Sequence, residues 1–161
     1  MTFDFIWSIK AVMTYLITMA ILLADQWTKY LILQALPQGG IVPIFPGFNV
    51  VHARNRGVSF SLFSGDSAFV PWILSALALA ICAVLVWYIH REKRTGVRVG
   101  LALILGGAIG NVIDRVRFGS VIDFLDVYAY DWHWPAFNVA DSAICLGVFL
   151  ILILSGRKEK K

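Results

Sequence analysis

Positions 70–89 form 20 consecutive residues without an ionisable side chain, roughly the length that crosses a hydrocarbon core about 30 Å thick. A bilayer is therefore the solvent in which this chain has to fold. The composition agrees, with 59% hydrophobic and 15% charged residues and a mean hydropathy of +0.76. Three more apolar runs, 11–24, 99–113 and 142–156, hold 14, 15 and 15 residues and are too short to span alone. Extending them to 10–30, 97–116 and 136–155 carries one aspartate into each: Asp25, Asp114 and Asp141. The expected fold is a mainly α membrane protein, a single domain over 1–161 with four transmembrane helices at 10–30, 70–89, 97–116 and 136–155. Segments 31–69 and 117–135 are then extracytoplasmic, the first with a small β-sheet and the second as a surface loop or helix.

Basic residues in short connections are retained on the cytoplasmic side. Arg91, Lys93, Arg94 and Arg98 follow the second span, Arg157, Lys158, Lys160 and Lys161 form the tail, and Lys10 sits at the start of the first span, making nine of the 14 Lys and Arg. Both termini are thus expected in the cytoplasm. The first run lacks a small-x-small cleavage pattern at Leu22 and Ala24 and is expected to be a retained helix. Under this topology Asp25, Asp114 and Asp141 converge on the outer end of the bundle. A charge within the membrane costs at least about 2.5 kcal/mol at mid-depth, and aspartate is too short to reach far toward water. Three together predict a shared polar cavity.

Outside the membrane, Phe48-Asn49-Val50-Val51 and the alternating stretch 58–62 are expected as strands, with a turn at Asn55-Arg56-Gly57 where glycine takes a positive φ. The segment 117–135 is rich in aromatics (Phe124, Tyr128, Tyr130, Trp132 and Trp134 among them) and is expected to lie on the bilayer. Asp141 should sit about five residues into a helix beginning near Ala136, roughly 7 Å below its start. Asp123 would fold over that start from the loop. Two carboxylates in a dry cavity titrate as a unit, one keeping a proton while the other stays charged, and such a pair activates water without a metal. Asn111, Asp114 and Arg115 share a helical face beside it. Gly106 and Gly110 are expected to serve close helix packing. Cys82 and Cys145 should be small buried apolar groups, the second helix should pack through Ala76 and Ala80, and His52 and His133 should lie on the surface.

Other classes fit less well. A proton-coupled carrier or channel needs polar groups through the cytoplasmic half, where the four helices are apolar. A metal-dependent phosphotransferase needs repeated acidic ligands, and Asp123 with Asp126 is the nearest approach. A pI near 9.3 does not indicate nucleic acid, because the basic residues form no stripe interleaved with aromatics.

The segments Asp25-Gln26-Trp27-Thr28-Lys29, Asn55-Arg56-Gly57, 106–115 (GGAIGNVIDR), Val121-Ile122-Asp123-Phe124 and Phe137-Asn138-Val139-Ala140-Asp141-Ser142 resemble, in order and spacing, the motifs of bacterial lipoprotein signal peptidases, the signal peptidase II family. The resemblance implies an aspartic endopeptidase of the bacterial inner membrane that cuts prolipoproteins immediately before the diacylglyceryl-modified cysteine. It implies Asp123 and Asp141 as the catalytic dyad at the periplasmic face, with no cofactor and no metal. Asn55, Asn111, Arg115 and Asn138 would line the pocket, Asp25, Lys29 and Asp114 would brace it, and Gly57, Gly107 and Ala140 would support it. Val58-Ser59 stand where the family often has small alanines. The implied partners are a lipidated prolipoprotein and membrane phospholipid, with no nucleic acid, around a monomer.

Overall fold

The structure is a computed structural model that describes residues 2–57 and 69–155. In chain order it contains α1 (Thr2–Ala35), β1 (Ile41–Phe45), β2 (Phe48–Asn55), α2 (Val70–Arg91), α3 (Thr95–Phe118), β3 (Val121–Ala129), β4 (Trp132–His133) and α4 (Val139–Ser155). The stretches Ala11–Ala35, Val70–Arg91 and Thr95–Phe118 are long and apolar enough to cross a membrane, and α4 is a shorter apolar helix of 17 residues. The expected strand at 58–62 and the basic tail lie outside the described residues.

Helix α3 is central because its surface is made of small residues. In lipid, apolar burial does not drive helices together, so close backbone approach has to. A Cβ on Gly100 would meet Ile151 and the Gly147 carbonyl of α4, and one on Gly106 would meet the Thr18 carbonyl of α1. Thr18 Oγ1 adds a hydrogen bond across to the Ala102 carbonyl at 3.2 Å. Thr14, Thr18 and Arg98 are buried, so the half of the bundle away from the aspartates is not wholly apolar. Helix α2 meets α3 through Cys82 and Ile89, which cluster with Val97, Leu101 and Leu105. Ala76 and Ala80, expected at that seam, are exposed, and Ser75 and Cys82 lie inward instead. Cys145 is also exposed, on the outer face of α4. Large apolar side chains such as Leu16, Leu23, Trp72, Leu77, Phe149 and Leu152 point outward, as suits helices whose solvent is lipid.

The strands form one antiparallel sheet in the order β1-β2-β3-β4. Gly57 has φ +82° after β2, and its N–H donates to Asn55 Oδ1 at 2.8 Å, closing the expected turn. The segment after α3 is not a loop or helix. Gly119 ends α3 in the left-handed region at φ +67°, its N–H bonded to the Arg115 carbonyl at 2.9 Å, and the chain turns straight into β3. Residues 121–124 are all buried, so this strand lacks the alternation by which a half-buried strand is recognised.

Candidate active site

The first turn of α4 organises the site. Asn138 Oδ1 accepts the Asp141 backbone N–H at 2.8 Å, and Asp141 Oδ2 accepts the Asn138 N–H at 3.3 Å. This reciprocal box makes Asn138 the N-cap and Asp141 the third helical residue. The helix therefore begins at Val139, and Asp141 lies in its first turn instead of five residues inside. There the helix dipole favours a negative charge. Asp141 Oδ1 also accepts Asn111 Nδ2 at 2.8 Å.

Asp123 comes from β3, opposite Ala53 of β2, and is 2% exposed. Its Oδ1 accepts Asn138 Nδ2 at 2.7 Å, so one asparagine engages both carboxyl groups. Burial, then the charge of Asp141, pushes the Asp123 carboxyl up to about 6 against hydrogen bonds from Asn55 and Asn138. Asp123 thus keeps its proton to a higher pH than an ordinary aspartic acid. The carboxyl faces an open cleft of about 470 Å³ walled by residues 53–56, Pro135 and Ala136.

Beneath the pair lies a buried ionic cluster. Lys29 Nζ sits 2.8 Å from Asp25 Oδ2 and 2.8 Å from Asp114 Oδ2, with side-chain exposures of 2%, 0% and 1%. It also donates to Asn111 Oδ1 at 3.1 Å. Each aspartate reaches onward to the backbone next to one member of the pair. Asp25 Oδ1 accepts the Ala140 N–H at 2.9 Å, and Asp114 Oδ2 accepts the Ile122 N–H at 3.1 Å. Three helices and a strand are thereby fixed around the two carboxyl groups. Gln26 completes the cluster, donating to Asp25, to Asp114 and to the Gly110 carbonyl at 3.0 to 3.2 Å. Sequence reasoning left Gln26 out of the site, although a polar residue inside an apolar run beside Asp25 was a usable signal. Ser142, whose Oγ donates to the Asn138 carbonyl at 2.9 Å, was also left out.

Arg115 is half-buried, with Nη1 3.4 Å from the Asn111 carbonyl and Nε buried without a hydrogen-bond partner. The charges of Asp141, Asp114 and Asp123 all act on it. Asp126 does not join the site. It accepts Asn49 Nδ2 at 2.8 Å and faces His133 Nδ1 at 2.8 Å. His133 is exposed and stacks on Tyr128 at 5.0 Å. His52, expected at the surface, is 4% exposed, because its Nδ1 donates to the Leu36 carbonyl at 2.9 Å and pins the end of α1 to β2. Among the described residues, no group of three or more His, Cys, Asp or Glu is placed to hold a metal ion.

Gly107 and Ala140 meet back to back. A Cβ on Gly107 would strike the Ala140 carbonyl oxygen, a backbone atom one residue before Asp141. Gly107→Ala is therefore expected to displace the start of α4 and to lower any activity that depends on Asp141 by roughly a hundredfold. The helical content by circular dichroism should stay close to the parent's. Parental turnover in this variant would show that the contact does not set the position of Asp141.

The profile of the family described as Signal peptidase (SPase) II matches residues 17–156. The chain is 42% identical over 139 residues to the lipoprotein signal peptidase of Klebsiella pneumoniae subsp. pneumoniae, covering 85% of this chain and 84% of that protein. It is 43% identical over 145 residues to the lipoprotein signal peptidase of Syntrophotalea carbinolica, covering 88% and 89%. A solved bacterial membrane enzyme, determined by the in meso method at 1.9 Å, superposes with a TM-score of 0.80 at 31% identity, covering 91% of this chain and 94% of that one.

Proposed function

The chain belongs to the signal peptidase II family, and we propose that it cleaves prolipoproteins immediately before their diacylglyceryl-modified cysteine, with Asp123 and Asp141 as the catalytic pair. The observation that carries this is Asn138, whose amide holds Asp123 at 2.7 Å while its backbone and Oδ1 lock Asp141 in the reciprocal cap. Two carboxyl groups are thus tied to one buried side chain, and that of Asp123 borders an open cleft.

Their surroundings divide the labour. In this reading Asp141, which accepts hydrogen bonds from Asn111 and the Asn138 N–H, serves as the base. Asp123, pushed up to about 6, supplies the proton. Asp141 takes a proton from water as that water attacks the scissile carbonyl, and Asp123 protonates the carbonyl oxygen. The proton on Asp141 then passes to the amine as the C–N bond breaks, while Asp123 takes back a hydroxyl proton, which re-forms the carbonyl and resets the pair. In this reading Asn55, in the cleft wall, and Arg115, close enough to feel the charges of both carboxyl groups, orient the substrate backbone.

Four spans with both termini cytoplasmic put the start of α4 at the outer leaflet of a bacterial inner membrane. At about 1.5 Å per residue, 17 residues reach roughly 25 Å, so a helix of this length sets Asp141 at the lipid–water boundary. There the peptide can enter the cleft while its acyl chains stay in lipid. Each CH₂ left in lipid saves about 0.8 kcal/mol of exposure. The protein works as a monomer.

The test is a cleavage assay of the purified protein in phospholipid nanodiscs, with products read by mass spectrometry. A lipidated precursor should be cut before the modified cysteine, the unlipidated form should be cut much more slowly, and a chelator should leave the rate unchanged. Cleavage at another bond, or loss of activity with chelator, would overturn the assignment.

A further inference from the structure

Basic side chains on the translocated side of a membrane protein run against the retention of positive charge in the cytoplasm, so those that occur there need an account. Lys29 is consumed by the buried cluster, and Arg115 lies against the carboxyl pair. Arg54 and Arg117 are two others. Arg54 leaves β2 and Arg117 leaves the end of α3, and both guanidinium groups lie against one ring, with Arg54 5.7 Å and Arg117 4.8 Å from the Phe118 centroid. Both are exposed, and no carboxylate pairs with either among the described residues. Contact with the ring orients a guanidinium and leaves its edge N–H groups for a carboxylate or phosphate.

Arg54 and Arg56 flank Asn55 in the wall of the cleft that Asp123 faces. Arg54 pairs in register with Ile122, one residue from Asp123. Strand alternation turns its side chain to the other sheet face, so the cationic patch sits at the cleft's rim and not at the reacting bond. At about 3.3 Å per residue, a peptide leaving the carboxyl pair reaches that rim two or three residues on. The signal segment is apolar and stays in the membrane, so the mature side of the cut is what passes.

Building on the peptidase assignment above, we infer that Arg54 and Arg117 form a specificity subsite for acidic side chains two or three residues beyond the modified cysteine. A phospholipid headgroup could engage Arg117 at its helix end. It gives no reason for Arg54 on the cleft wall, which favours the substrate.

The test uses lipidated precursor peptides that differ only at those two positions, carrying Asp, Asn or Lys, with the full chain in nanodiscs of zwitterionic lipid. For the parent, kcat/KM should favour Asp over Lys by about tenfold at low salt, and by less at 0.5 M NaCl. In R54Q/R117Q the Asp-to-Lys ratio should fall to near one. In R54E/R117E it should invert, an outcome that general damage to the fold cannot produce. A parental ratio near one with cleavage intact, or a ratio unmoved by the glutamate variant, overturns the inference and leaves the peptidase assignment standing. So does a result in which the arginines change only the dependence on anionic lipid. Failure of the parent to cut any of the peptides would instead sink the peptidase assignment itself.

Discussion

Asp141→Asn and Asp123→Asn should each lower kcat/KM for a lipidated precursor by at least about a thousandfold, because each removes one half of the proton relay. The two act as a unit, so the double variant should be no worse than either single one. The fold should survive, since an asparagine at 123 still offers Oδ1 to Asn138 Nδ2. Stability should move in the opposite sense to activity. A carboxyl whose folded value rises from 3.8 to about 6 stabilises the native state below about pH 4, and that contribution is lost as pH climbs through about 6. The loss amounts to as much as roughly 3 kcal/mol. Asp123→Asn escapes it and should unfold at a higher temperature than the parent at pH 8, with little difference at pH 4. In Asp141→Asn the titration of Asp123, followed by the carboxyl infrared band, should move to lower pH, because one of its two raising causes is gone. Substantial turnover in either variant, or an Asp123→Asn protein less stable than the parent at pH 8, would refute this division of roles.

The parts of the fold legible in the sequence are those whose physics is local. An uninterrupted apolar run marks α2 wherever it packs, although not which face it turns inward. Ser75 and Cys82, not the alanines, take that place, and the seam with Val97, Leu101 and Leu105 of α3 is built from interlocking side chains such as Cys82 and Ile89, not from close backbone approach. The start of α4 shows a competition between two signals. Extending the apolar run to a full span puts the helix start at Ala136, whereas Asn138 with Asp141 three residues later is a capping box that begins it at Val139. The local cap prevails, since a helix end at the lipid boundary can use short side chains to satisfy its N–H groups. Strand β3 was hidden because both of its faces are buried at the start, and Asp123 and Asp126, three apart, break any period of two. The backbone donors at Ile122 and Ala140 that connect the ionic cluster to the carboxyl pair carry no side-chain signature at all.

Those two donors give Lys29 an effect larger than its distance from the cleft suggests. The ammonium group meets Asp25, Asp114 and Asn111 within 3.1 Å, using its three protons on three acceptors. Lys29→Met would leave two buried carboxylates without a cation and should cost roughly 3–5 kcal/mol, read as a large fall in unfolding temperature in detergent. Lys29→Arg should fare little better, since a planar fork does not reproduce three divergent donors. Adding Asp25→Asn and Asp114→Asn to Lys29→Met removes every uncompensated charge while keeping an oxygen for the Ala140 and Ile122 amides, so most of the thermal stability should return. Activity should return far less, because Asn111, which holds Asp141 at 2.8 Å, has lost the shorter of the two hydrogen bonds to its Oδ1 and keeps only that from Asn138 Nδ2 at 3.3 Å. A stable but slow triple variant would mark the cluster as the frame that sets the carboxyl pair. Full recovery of turnover would reduce it to a fold-stabilising contact, and a Lys29→Met protein that melts with the parent would show that the charges are not buried as described.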